Sequence, residues 1–156
     1  MATHVLGPDK PQTLVTFGAG KQIEAHIELF LNIYPSITQC ILVNRTFNQR
    51  FAALIERLRN SRENVKFMWT SLSGLGMGFE PNPLSLERIV RSADIICTAT
   101  PSTTSLFSSS WVKPATHINL VGSFTPKMHE VKPDLIRRAD IVAVDQERHV
   151  AQKQVN

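Results

Sequence analysis

Three observations predict an α/β fold, a doubly wound parallel sheet of about six strands with crossover helices. Apolar runs of strand length recur with amphipathic segments between them, the pattern of a parallel sheet covered on both faces. The first run, Thr13-Leu14-Val15-Thr16-Phe17, enters a Gly18-Ala19-Gly20 turn that opens into a helix at Lys21-Gln22. The second run ends in Asn44-Arg45-Thr46, which sets a cation beside two short hydrogen-bonding side chains.

Thr13–Phe17 is the first strand. The helix from Lys21 carries Ile23, Ile27, Phe30 and Leu31 along one face and ends before Pro35, which cannot continue it. Cys40–Val43 is the second strand, and Thr46 is placed to cap a helix whose buried stripe is Phe47, Phe51, Leu54, Ile55 and Leu58. Val65–Trp69 is the third strand. Thr70 to Pro83 holds three glycines and two prolines and reads as a long loop at the edge of the fold. A helix over about Leu84 to Ser92 turns Leu86, Ile89 and Val90 inward, and Asp94 precedes the fourth strand, Ile95–Ala99. Thr100-Pro101-Ser102-Thr103-Thr104-Ser105 is turn-forming and belongs at the carboxyl edge. His117–Val121 is the fifth strand, Pro133–Arg138 a further helix, and Ile141–Asp145 the sixth strand.

The 156 residues, 42% hydrophobic and 19% charged, suit one globular domain. Residues 13–145 form it, with an N-terminal arm at 1–12 and a tail at 146–156. Seventeen Lys and Arg against thirteen Asp and Glu give a formal charge of +4, which attracts an anionic ligand but makes no polybasic footprint for nucleic acid. Arg57, Arg59 and Arg62 read as a solvated helix end. Cys40 and Cys97 lie in apolar runs, where free thiols behave as small buried hydrophobes, so an intracellular, cytoplasmic protein without disulfides is expected. Met1 to Pro11 lacks the apolar core of a secretory signal, and no run reaches the length of a membrane span, so no membrane association is expected.

The glycine turn carries the first functional reading. Gly18 lets the chain turn tightly off the strand, and Gly20 removes a side chain that would keep backbone N–H groups away from a pyrophosphate at the helix N-terminus. The third small residue of the Rossmann-type dinucleotide fingerprint is replaced by Ile23, which predicts a helix seated slightly further from the sheet. About 20 residues on, an NAD site places an acidic residue against the ribose 2′-hydroxyl. Asn44 and Arg45 stand there instead, and a cation suits a 2′-phosphate, so NADP(H) is the expected cofactor, with NAD(H) possible. Thr98, Ala99 and Thr100 end the fourth strand, where small residues admit a cofactor at the switch point of the sheet. His4, His26, His117, His129 and His149 have no spacing that suggests a metal site, and Ser108-Ser109-Ser110 reads as a helix start before Trp111, so no catalytic nucleophile is assigned.

Taken together, Phe17-Gly18-Ala19-Gly20-Lys21-Gln22, Val43-Asn44-Arg45-Thr46, Ala93-Asp94-Ile95-Ile96-Cys97-Thr98-Ala99-Thr100-Pro101 and His117-Ile118-Asn119-Leu120-Val121-Gly122-Ser123 resemble the ornithine cyclodeaminase/mu-crystallin family, from about Thr13 to Asp145. The resemblance implies NAD(P)-dependent interconversion of amino acids with keto acids or imines. It implies diphosphate contacts at Gly18, Ala19, Gly20, Lys21 and Gln22, adenosine 2′-phosphate contacts at Asn44, Arg45 and Thr46, and nicotinamide-side contacts near Thr98, Ala99, Val121, Gly122 and Ser123.

Two departures from the family shape the expectation. Cyclodeaminase-like members carry an aspartate in a Gly-Asp-x-Pro-like run, where this chain reads Gly122-Ser123-Phe124-Thr125-Pro126. Phe124 moves no proton, which points away from ornithine cyclodeamination and toward mu-crystallin-like ketimine reductases. The family also builds a substrate domain, and with it much of its dimer interface, from chain on both sides of the cofactor domain. The residues here describe only the cofactor half, expected to bind NADP(H) and to turn over an amino or imino acid only in a complete protein, for which a homodimer is one possible form. A non-catalytic NADP(H)-binding or sensor protein stays open, and the Asn-Arg-Thr feature also suits shikimate-dehydrogenase-like and glutamyl-tRNA-reductase-like cofactor domains.

Overall fold

The computed structural model describes residues 2–73, 85–122, 125 and 127–144. Its strands are β1 (Thr13–Phe17), β2 (Gln39–Thr46), β3 (Lys66–Ser73), β4 (Ile95–Thr98) and β5 (His117–Leu120). Its helices are α1 (Ala2–Leu6), α2 (Lys21–Ile33), α3 (Gln49–Ser61), α4 (Leu86–Ser92) and α5 (Pro133–Arg137). A short 3-10 turn occupies Ser109–Trp111, where the serine run leads into the tryptophan.

The strands pair in parallel in the order β3-β2-β1-β4-β5. β1 is central, with Val15 in register with Ile41 on one side and Ile96 on the other. The chain steps outward from β1 through β2 to β3 and then returns to β4 on the far side of β1. That reversal opens a crevice at the carboxyl ends of β1 and β4.

Side-chain alternation along each strand feeds two cores. Leu14, Cys40, Leu42, Ile95 and Cys97 face α2 and α3, which contribute Ile23, Ile27, Phe30, Phe51, Leu54, Ile55 and Leu58. Val15, Phe17, Ile41, Val43 and Ile96 face the opposite layer, which holds Ile89 and Val90 of α4 with Phe107, Val112, Val131 and Leu135. Each fully buried Leu or Ile contributes roughly 1.5–3 kcal/mol, so two covered faces hold the sheet in one register.

The N-terminal residues pack on the sheet. Thr3 is fully buried, its hydroxyl donates to Asn119 Oδ1 at 3.1 Å and lies 3.2 Å from His117 Nε2, and its carbonyl accepts from the Tyr34 hydroxyl at 2.7 Å. His117 and Asn119 share one face of β5, so α1 lies beside the end of α2 on that face.

Several boundaries differ from the expectation. β2 continues through Thr46, which pairs with Ser73, so Thr46 is a strand residue and does not cap the following helix. Asn48 caps α3 instead, its Oδ1 accepting from the Phe51 amide at 3.0 Å. Phe47 precedes the helix and stacks on Trp69 with ring centroids 4.6 Å apart. Thr70 to Ser73 belong to β3, because the longer β2 supplies them with backbone partners, and the remainder of the expected edge loop lies outside the described residues. α4 begins at Leu86, after Ser85 caps it.

The described sheet has five strands, one fewer than expected. Ile141, Val142 and Val144 are 65%, 56% and 52% exposed and pair with no strand among the described residues, and Asp145 lies outside those residues. An apolar β-branched run has local strand character, but a strand exists only where a neighbour takes its backbone hydrogen bonds.

The basic cluster also differs from a merely solvated helix end. Arg57 meets Glu24 at 2.8 Å and Arg62 meets Glu28 at 2.9 Å, while Arg59 donates to the Phe67 carbonyl. These contacts fasten α3 to α2 and β3. As exposed or half-exposed pairs they are worth little individually.

Candidate functional site

The crevice is built from four strand ends. Gly18 leaves β1 with φ +120°, a backbone conformation that L side chains rarely adopt. Its amide donates to the Val43 carbonyl at 2.9 Å, and a Cβ added to it would stand 2.8 Å from the Ala99 carbonyl oxygen. Gly18 is therefore required by both torsion and space. Ala99 in turn donates its amide to the Phe17 carbonyl at 3.1 Å, which ties the loop after β4 to the end of β1.

Gly20 has a different task. It sits at the N-cap of α2 with φ −88°, an ordinary value, and a Cβ there would meet no atom within 4 Å. Among the described residues no side chain caps α2, and the first N–H groups of a helix have no intrahelical partner. Lys21 and Gln22 form the exposed first turn, and Ala19 packs against the core. Ile23, in the third fingerprint position, is fully buried and closes off the core beneath Gly18. An uncapped helix start behind a glycine turn fits an anion such as a pyrophosphate.

At the neighbouring strand end, Asn44 is half-buried and its Nδ2 donates to the Thr46 carbonyl at 2.9 Å. Arg45 and Thr46 are exposed at the tip of β2, next to the strand that feeds Gly18. On the other flank, Thr98 ends β4 and is fully buried, and Val121 donates its amide to the Thr98 carbonyl at 2.8 Å. The structure thus brings Gly18, Ala19, Gly20, Lys21 and Gln22, Asn44, Arg45 and Thr46, and Thr98, Ala99, Thr100, Val121 and Gly122 to one edge of the sheet. Ser123 and Phe124 lie outside the described residues.

One residue of the site escaped the sequence reading. Glu130 is 1% exposed and grips the ends of β4 and β5. Oε1 accepts from the Thr100 amide at 2.7 Å and the Thr100 hydroxyl at 2.8 Å. Oε2 accepts from the Thr98 hydroxyl at 2.7 Å and the Gly122 amide at 2.9 Å. Two donors on each oxygen satisfy a carboxylate, which is an acceptor at every lone pair. Its charge reaches the neighbouring core: burial first, and then Glu130, push the Cys97 thiol up to about 12. Glu130 sits in a polar stretch that reads as loop, and the apolar Val131 behind it was the single local hint of burial.

A parallel sheet with a topological switch at β1 and β4, covered by helices on both faces, and an uncapped glycine-led helix at the switch define a Rossmann-type domain. The chain belongs to the ornithine cyclodeaminase/mu-crystallin family, whose model matches residues 1–154. It is similar to Protein SAR DEFICIENT 4 of Arabidopsis thaliana, with 31% identity over 90% of this chain and 40% of that protein. It is also similar to the ketimine reductase mu-crystallin of Mus musculus, with 30% identity over 89% of this chain and 38% of the relative. The structure of the iminosuccinate reductase of Paracoccus denitrificans in complex with NAD+ superimposes with a TM-score of 0.68 and 25% identity, over 90% of this chain and 38% of that one. The chain therefore spans about two-fifths of the length of the curated relatives it matches. Among the described residues no helix is long and apolar enough to cross a membrane, and no group of three His, Cys, Asp or Glu residues could hold a metal ion.

Proposed function

We propose that this chain is the NADP(H)-binding domain of an oxidoreductase that moves hydride to or from an amino acid or cyclic imino acid. The observation that carries the reading is the uncapped start of α2, open in front of Gly20 and fixed in place by the strained turn at Gly18. The relatives support it by name, one being a ketimine reductase and another an iminosuccinate reductase that holds NAD+.

In this reading the dinucleotide supplies the hydride chemistry, and the chain binds and orients it. Gly18 to Gln22 hold the diphosphate, and Asn44, Arg45 and Thr46 hold the adenosine ribose and its 2′-phosphate, which selects NADP(H) over NAD(H). Thr98, Ala99, Thr100, Val121, Gly122 and Ser123 bound the nicotinamide side. Residues 13–145 serve as the cofactor domain. The amino or imino acid is bound in a full-length, homodimeric form of the protein. Calorimetric titration of the folded chain with NADPH and with NADH tests the reading. Heat of binding with NADPH the tighter ligand is expected, and no heat with either nucleotide overturns it.

A further inference from the structure

We propose that Glu130 is a positioning residue for the nicotinamide half of the dinucleotide, and that its buried carboxylate decides which way round the cofactor lies in the crevice. The proposal rests on the dinucleotide reading and assigns a role to a residue outside the glycine turn and the β2 tip. The crevice has two sets of backbone amides at the carboxyl ends of the strands. One set opens at the uncapped start of α2, facing the empty space before Gly20. The other set, the amides of Thr100 and Gly122, is already taken by Glu130 at 2.7 and 2.9 Å.

An anion is drawn to open amides and repelled by a carboxylate. The phosphates therefore settle at α2 and beside Arg45, and the uncharged or cationic nicotinamide is left for the β4 and β5 ends. Among the described residues the hydrogen-bond partners of Glu130 are two hydroxyls and two amides, with no cation. Its negative charge is thus not neutralised by a paired cation on the spot, and it acts on whatever lies above Thr98 and Gly122. Glu130 also has a mechanical part. It is the one described side chain bonded to both strand ends, and its main-chain carbonyl accepts from the Leu106 amide at 2.8 Å, which anchors it to the loop after β4.

The test compares NADPH with 2′,5′-ADP, which carries the adenosine and the 2′-phosphate but no nicotinamide. Titrations are run on the wild-type chain and on Glu130→Gln, with thermal melts on both. In Glu130→Gln a side-chain N–H faces an amide or hydroxyl donor, so the β4 and β5 ends lose a bond and the charge together. NADPH affinity is expected to fall about tenfold, and 2′,5′-ADP affinity to change by less than about twofold. Equal losses for both ligands, or none for either, overturn the proposal, because a role in stability alone does not distinguish the two. Should Glu130→Gln fail to fold, Thr98→Val carries the test. It deletes one donor and keeps the carboxylate, and a smaller loss confined to NADPH is expected, with a matching loss for 2′,5′-ADP overturning the idea. A wild-type chain that binds neither NADPH nor NADH, nor 2′,5′-ADP, instead overturns the dinucleotide reading itself.

Discussion

The Gly18 amide donates to the Val43 carbonyl at 2.9 Å, so the turn off β1 is tied to the strand that ends in Asn44, Arg45 and Thr46. The two glycines of that turn separate stability from binding. Gly18→Ala forces a Cβ to within 2.8 Å of the Ala99 oxygen at φ +120°. It is expected to cost about 2 kcal/mol or more, read as a lowered urea midpoint. Gly20→Ala meets open space at an ordinary torsion and should cost less than about 1 kcal/mol. In the proposed reading its new methyl nevertheless stands where a pyrophosphate approaches, and NADPH affinity is expected to fall about tenfold with little change in the melt. A Gly20→Ala protein that binds NADPH as well as the wild type would place the phosphates elsewhere.

The sheet and the glycine turn were legible because their signals are local. Alternation in Cys40 to Val43 and in Ile95 to Thr98 follows from two covered faces, and a strand, two glycines and a helix specify a turn within a dozen residues. Features set by distant partners were not legible. Thr46 and Asn48 are both good caps, and only the pairing of Thr46 with Ser73 decides between them. Thr70 and Ser71 look like loop residues until β2 supplies their hydrogen bonds. Glu130 is the extreme case. Its partners Thr98 and Thr100 stand 32 and 30 residues away, and beyond the apolar Val131 nothing in its own neighbourhood announces a buried carboxylate.

Asp94 couples the start of the sheet to acid stability. Its carboxylate accepts from the Gln12 and Thr13 amides at 2.8 and 3.0 Å and from Lys113 Nζ at 2.6 Å. Burial pushes its pKa up, but the hydrogen bonds from Lys113, Gln12 and Thr13 together outweigh that and hold it below the usual aspartate range. A folded-state pKa below the unfolded one gives stability that is fully present above the unfolded value and lost as pH falls through the folded one. The free energy of unfolding is therefore expected to hold from neutrality to about pH 5 in its Asp94 component and to decline below about pH 4. Asp94→Ala should lower stability by about 2 kcal/mol at pH 7 and flatten that acid limb. An unchanged acid limb in the variant would show that the decline comes from other carboxylates.

Cys40 and Cys97 are both buried to 0% exposure on the face of the sheet that meets α2 and α3. Burial is the main force raising both thiols, Cys97 to about 12 and Cys40 higher still, so neither is a thiolate at neutral pH. Ellman's reagent at pH 8 should find no reactive thiol in the folded chain and two after denaturation. Rapid reaction of one thiol in native buffer would reveal an opening of the sheet at β2 or β4.

In the proposed reading, Arg45 is the residue on which cofactor choice turns. It stands exposed at the tip of β2, and β2 is the strand hydrogen-bonded to Gly18, so it lies on the strand beside the Gly18–Gly20 turn where the proposed reading sets the ribose phosphate. A guanidinium to phosphate contact is charge-assisted on both sides and is worth roughly 1.5–3 kcal/mol, or about ten- to a hundredfold in affinity. Arg45→Ala is therefore expected to weaken NADPH by about that factor and NADH by less than about twofold, because NADH has no 2′-phosphate to lose. Salt supplies a second axis. Because Arg45 is solvent-exposed, the gap between NADPH and NADH in the wild type should narrow as ionic strength rises from about 0.01 to 1 M, while the Arg45→Ala protein shows the smaller salt dependence of the two. Equal losses for both nucleotides in the variant would assign Arg45 to the adenosine or the loop rather than to the phosphate, and selectivity would then have to come from Asn44 and Thr46 alone.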